Sequence, residues 1–97
     1  MTSLERLEKW YSSQCNGDWE HQYGINIGTL DNPGWRITID LTGTKSENKT
    51  LDRMKLERTE NDWLQYWVEN CKFNAACGPM NLSELIDIFC EWFDRSA

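Results

Sequence analysis

Trp35-Arg36-Ile37-Thr38-Ile39-Asp40-Leu41 carries the clearest strand pattern in the chain. Large apolar side chains at 35, 37, 39 and 41 alternate with Arg36, Thr38 and Asp40. That period of two marks a strand with one dry face and one wet face. Asp31-Asn32-Pro33-Gly34, just before it, has the residues of a turn. Before the turn, Tyr23, Ile25 and Ile27 alternate with Gly24, Asn26 and Gly28. The two runs predict a β-hairpin. Strands wetted on one face belong to antiparallel sheets, because a parallel sheet needs long crossovers and cover on both faces.

Working outward, residues 42–50 contain no large apolar side chain and no periodicity, which predicts an exposed, mobile loop. A third strand is expected around Met54 and Leu56. Glu60-Asn61-Asp62 turns into a fourth, Trp63 to Glu69, and a weaker fifth runs from Cys71 to about Ala75. Helices flank the strands. Thr2 and Glu5 stand at capping-box spacing, Leu4, Leu7, Trp10 and Tyr11 share one helical face, and Asn16-Gly17 closes the segment. Gly78-Pro79 breaks the chain. Asn81 is then placed to cap a last helix with Glu84 at the capping-box position, and Leu82, Leu85, Ile86, Phe89 and Phe93 form its apolar stripe with Trp92 at the edge. The expected fold is α+β: an N-terminal helix, an antiparallel meander of about five short strands and a C-terminal helix, both helices on one face of the sheet.

Residues 1–97 suffice for a single domain with one modest core. No apolar run reaches the ~20 residues of a membrane span, and the N-terminus lacks the pattern of a signal peptide, so a cytoplasmic protein is expected. Cys15, Cys71, Cys77 and Cys90 show no metal-ligand spacing and read as small apolar side chains. The net charge of −6 argues against nucleic acid or an anionic membrane as partner and favours a basic protein.

Catalysis finds little to work with. Gly17-Asp18-Trp19-Glu20-His21 holds two carboxylates and the lone histidine. There is no second histidine, phosphate loop or nucleophile elbow. A sulfurtransferase-type cysteine would need an electropositive pocket, and the cysteines stand among acids. Neither metal nor organic cofactor is expected, and the chain reads as a binding protein rather than an enzyme.

Two features run against local stability, and such places mark candidate contact residues. Glu84, Asp87, Glu91 and Asp94 are spaced 3, 4 and 3 apart, forming one acidic stripe opposite the apolar stripe. Like charges so placed repel by about 0.2–0.5 kcal/mol per pair, and Arg95 alone stands near to relieve them. The second feature is six tryptophans in 97 residues. Trp10, Trp35 and Trp92 fall at core positions. Trp63 and Trp67 point away from Leu64, Tyr66 and Val68, onto the face that helices would not cover. Asp18 and Glu20 either tether the loop before the first strand or form an acidic rim around Trp19.

Gly17-Asp18-Trp19-Glu20-His21, Tyr23-Gly24-Ile25 and Thr29-Leu30-Asp31-Asn32-Pro33-Gly34-Trp35 together resemble the immunity protein 53 family. So do Glu57-Arg58, Asn61-Asp62-Trp63 and Phe89-Cys90-Glu91-Trp92. The resemblance spans nearly the whole chain. It implies a bacterial immunity protein of a polymorphic toxin system, which binds a cognate toxin domain and neutralises it. A basic nuclease is one toxin that would suit the charge. The runner-up is a small cytoplasmic regulatory or adaptor domain with another protein ligand. On either reading the expected contact residues are Asp18, Trp19, Glu20, Trp63, Trp67, Glu84, Asp87, Glu91 and Asp94.

Overall fold

The computed structural model describes residues 1–96. The elements are α1 (Ser3–Gln14), α2 (Trp19–Gln22), β1 (Ile25–Leu30), β2 (Gly34–Asp40), β3 (Leu51–Thr59), β4 (Asp62–Glu69), β5 (Lys72–Cys77) and α3 (Leu82–Arg95). The fold is α+β, with five antiparallel strands in one sheet between an N-terminal and a C-terminal helix. The capping box forms: Thr2 Oγ1 accepts the Glu5 N–H, and Glu5 accepts the Thr2 N–H.

The strand order is β1-β2-β5-β4-β3. A pure meander would set β3 beside β2; here β5 lies between β2 and β4, and the chain crosses to the far edge before returning. Four strands in the order β2-β5-β4-β3 form a Greek-key arrangement. Two local features fix it. Gly34 sits so close to β5 that a Cβ there would lie 2.3 Å from the Cys77 carbonyl oxygen. Asn70 and Cys71 both adopt positive φ (54° and 60°) between the paired residues Glu69 and Lys72. That is the two-residue turn whose twist matches a tight hairpin.

Register decides which residues face the helices. Ile37 and Ile39 stand opposite Ala75 and Phe73, which stand opposite Tyr66 and Val68. With Leu41, Leu64 and Cys77 they meet Leu7 and Trp10 of α1, Trp19 of α2, and Leu85, Ile86, Phe89, Cys90 and Phe93 of α3 in one core. Phe89 is its hub, with ring centroids 5.0 Å from both Trp10 and Phe73. The Trp10 indole N–H has no hydrogen-bond partner there; it meets the rings of Phe89, Phe93 and Trp19 edge to face. Trp35 donates its indole N–H to the Pro79 carbonyl at 3.1 Å, tying β2 to the segment that launches α3.

The helices cover the middle of the sheet and leave apolar residues bare at both edges. Ile27, opposite buried Ile37, is 42% exposed. Met54 and Leu56, opposite Tyr66 and Leu64, are exposed on the other edge.

Residues 42–50 correct the expectation of an exposed loop in part: Gly43, Lys45, Asn48, Lys49 and Thr50 are exposed, but the segment is anchored. Thr44 and Ser46 are buried. Thr44 donates to the Leu41 carbonyl at 2.7 Å, and Glu47 accepts the Gly43 N–H at 2.8 Å. Ser46 and Ser96 hydroxyls hydrogen-bond each other, and Lys45 lies 5.0 Å from the Phe93 ring. The loop's short polar side chains turn inward, satisfy its own backbone and close over the end of α3.

Candidate functional site

No three His, Cys, Asp or Glu side chains among the described residues converge where a metal ion could sit. No described helix is long and apolar enough to cross a membrane. Burial pushes the Cys77 thiol up to about 11 and raises Cys90 as well. Both stay protonated at neutral pH, which removes the thiolate a nucleophile needs.

The Asp18–Glu20 segment proves structural in two of its three residues. Trp19 is only 6% exposed and packs against Trp10, Tyr11 and Tyr23. Its indole N–H donates to the Thr42 carbonyl at 2.8 Å, joining α2 to the loop after β2. Trp19 is thus part of the core and not an exposed ring rimmed by acids. The Glu20 carboxylate accepts the N–H groups of Asn16 and Gly17 at 2.9 and 2.8 Å. Hydrogen bonds from its own backbone N–H, and then from those of Asn16 and Gly17, hold it below the usual carboxylate range. The amides of Asp18 and Trp19 are met by the Asn16 side chain. Asp18 itself is exposed and caps nothing.

The acidic stripe on α3 divides in two. Asp87 accepts the Ser3 hydroxyl at 2.9 Å and Arg6 Nη1 at 3.0 Å, linking α3 to α1. Glu84 accepts both outer nitrogens of Arg58, Nη1 at 3.1 Å, and an Asn81 amide hydrogen at 3.3 Å. Glu84 and then Asp62 raise the Arg58 pKa, while Asn81 and then Arg58 lower that of Asp62. These partners correct the expectation that the stripe brings no structural return. Asn81 is also corrected: its side chain bridges Asp62 and Glu84 and accepts the Trp63 N–H, and it makes no cap bond to α3. Glu91 and Asp94 are exposed with no side-chain partner among the described residues.

Trp63 and Trp67 lie on the helix-free face, as their alternation requires, each half-buried. Trp67 is already engaged. Arg53 stacks 4.1 Å from its ring centroid, and its indole N–H donates to Glu69 at 3.0 Å. The face around it is polar, with Asn74, Thr38 and Asn26 in line with Trp67 across the sheet. Glu91 and Asp94 thus belong to the helical layer and Trp63 and Trp67 to the opposite face of the sheet, while Asn81 joins the Trp63 backbone to Glu84 at the margin between them.

Charge divides along the same line. The three helices and the loop before α2 carry Glu5, Glu8, Asp18, Glu20, Glu84, Asp87, Glu91 and Asp94 against Arg6, Lys9 and Arg95. These eight acids and three bases leave an excess of five negative charges on the helical layer, offset at its rim by Arg58 on Glu84 and Lys45 over Phe93.

Concavities open on the helical side, one of about 330 Å³ between α1 and α3 beside Arg6, Lys9, Trp10, Phe93 and Asp94, and another at the sheet's edge. A groove of about 360 Å³ opens between α1 and β1, lined by Leu7, Glu8, Tyr11, Gly24 and Ile25. Sequence reasoning missed it, because Ile25 and Tyr11 read as ordinary core-facing positions, whereas Ile25 is only half-buried and Tyr11 is exposed.

The family model described as immunity protein 53 matches residues 4–94 of the chain. No curated protein and no solved structure matches it.

Proposed function

The chain belongs to the immunity protein 53 family, and on that premise we propose that it binds a cognate bacterial toxin domain and neutralises it in the cytoplasm of the producing cell. The family match, covering residues 4–94, is the observation that carries this reading. Neutralisation proceeds by occupying the toxin's surface, with no bond made or broken. An inhibitor of this kind must hold its target very tightly, as the nuclease–immunity pairs among the tightest known complexes do.

The acidic helical layer supports the capture step. Opposite charge accelerates encounter and acts mainly on the association rate. Glu91 and Asp94 are free for that role, and a basic toxin such as a nuclease is the partner the charge suits. Trp63, half-buried on the open face, remains a contact candidate. Glu84 and Asp87 are committed to Arg58 and Arg6 and contribute field rather than contact.

The test is biochemical. The purified chain, mixed with the toxin domain encoded beside it, should form a stoichiometric complex and abolish the toxin's activity. The association rate should fall as salt rises. A mixture that stays two separate species on a sizing column would refute the proposal.

A further inference from the structure

The sheet treats its two edges differently. β3 carries Asp52, Arg53, Lys55, Glu57 and Arg58 in nine residues, and its pairing with β4 shifts register twice. Charges and bulges are the devices that keep an edge from recruiting a foreign strand. β1, Ile25-Asn26-Ile27-Gly28-Thr29-Leu30, has none of them: no charge, no proline, and unbroken pairing with β2.

The ladder shows which groups this edge offers. The Asp40 N–H donates to the Gly24 carbonyl at 3.0 Å, so Gly24 and Asp40 form a hydrogen-bonded pair. Such pairs alternate along an antiparallel ladder. Asn26 and Gly28 therefore also bond inward to β2, while Ile25, Ile27 and Thr29 turn N–H and C=O outward. The side chains of these three face the helix layer, where Leu4 and Tyr11 of α1 stand exposed and the groove opens beside Ile25.

We propose that β1 is the docking edge for an extended segment of the toxin, which adds as a sixth strand and seats an apolar side chain in the groove between α1 and β1. Strand addition joins backbone hydrogen bonding for affinity with alternate side-chain pockets for specificity. The occupant follows from charge. Glu8 lines the groove, and Glu20 and Asp31 lie toward the two ends of β1; the nearby cations are Arg36, folded over Gly28 on the other face, and Lys72, which is paired with Asp40 beside Gly24. A second copy of this chain would bring another −6 to the same edge, whereas a basic strand is attracted to it. The proposal rests on the immunity reading and adds where and how the toxin is held.

Amide hydrogen exchange on the chain alone and with the adjacent-gene toxin domain tests it. In the free chain Ile25, Ile27 and Thr29 should exchange rapidly, and in the complex they should be protected by about tenfold or more. Ile27→Pro removes one outward N–H and spares the β1–β2 ladder, since prolines are tolerated where an edge N–H faces solvent. It should weaken binding by at least about tenfold. Ile27→Lys keeps the N–H, guards against misfolding of the proline variant, and should weaken binding likewise; Leu56→Lys on the opposite edge should not. A complex whose β1 amides exchange as in the free chain, or equal losses from Ile27→Lys and Leu56→Lys, would overturn the docking proposal and leave the immunity reading standing. Failure to form any complex would overturn both. Concentration-dependent protection in the free chain, with a dimer mass, would assign the edge to a second copy and reject the toxin strand.

Discussion

Replacing Trp19 with alanine separates the two kinds of tryptophan in this chain. Trp19 is 6% exposed, touches Trp10, Tyr11 and Tyr23, and donates to the Thr42 carbonyl at 2.8 Å. Truncating a buried aromatic to alanine costs about 3–5 kcal/mol in transfer and cavity terms. Trp19→Phe keeps most of the packing and loses the hydrogen bond, at about 0.5–1.5 kcal/mol. In a domain near 100 residues each kcal/mol moves Tm by roughly 4–8 °C, so Trp19→Ala should lower Tm by about 12 °C or more. Trp63→Ala, on the open face, should cost about 1 kcal/mol or less. Urea unfolding followed by far-UV circular dichroism measures all three in one series. If Trp19→Ala stays within about 1 kcal/mol of the native chain, or Trp63→Ala proves the costlier, the assignment of Trp19 to the core and Trp63 to the surface is wrong.

Four further outcomes follow from particular residues. Asp87→Asn should destabilise by about 0.5–1 kcal/mol, the range for a partly exposed ion pair, with the loss shrinking in high salt; Glu91→Gln, which relieves repulsion and breaks no contact, should leave the midpoint of urea unfolding unchanged or slightly higher. Cys71→Gly should stabilise the chain by about 1 kcal/mol, since φ at that residue is 60° and the left-handed region penalises a Cβ; a fall in Tm would refute the turn assignment. At pH 8, mass spectrometry should find iodoacetamide on Cys15 and Cys71 before Cys77 and Cys90, which are buried and have raised pKa values.

Much of the fold was legible because the decisive elements carry their own periodicity. Ile37, Ile39 and Leu41 alternate cleanly and are buried, and Leu85, Ile86, Phe89 and Phe93 keep helical spacing and are buried. Strand order was not legible. Every antiparallel strand offers the same backbone groups, and the place of β5 beside β2 is settled by long-range contacts such as Gly34 against Cys77. Residues 42–50 were misread because hydroxyl-rich polarity is also what a loop needs to satisfy its backbone internally.

The candidate site was less legible, for a related reason. The partners of the acidic stripe lie far away in sequence, Arg6 at 81 residues from Asp87 and Arg58 at 26 from Glu84. Local spacing showed the repulsion and hid the relief. Trp19, flanked by Asp18 and Glu20, looked exposed because its neighbours are charged; a four-residue helix turns its ring inward. The undefended edge of β1 has no sequence signature at all. An uncharged strand reads alike whether it lies in mid-sheet or at the rim, and only the strand order shows that β1 is outermost.

Protection of the producing cell by toxin binding can be measured in living cells. The toxin domain encoded next to this chain is placed under an inducible promoter in a sensitive bacterial host, with and without the chain, and colony survival is counted after induction. Toxin alone should kill; toxin with the native chain should restore survival to that of uninduced cells. Death in the presence of the well-expressed, folded chain would contradict the account.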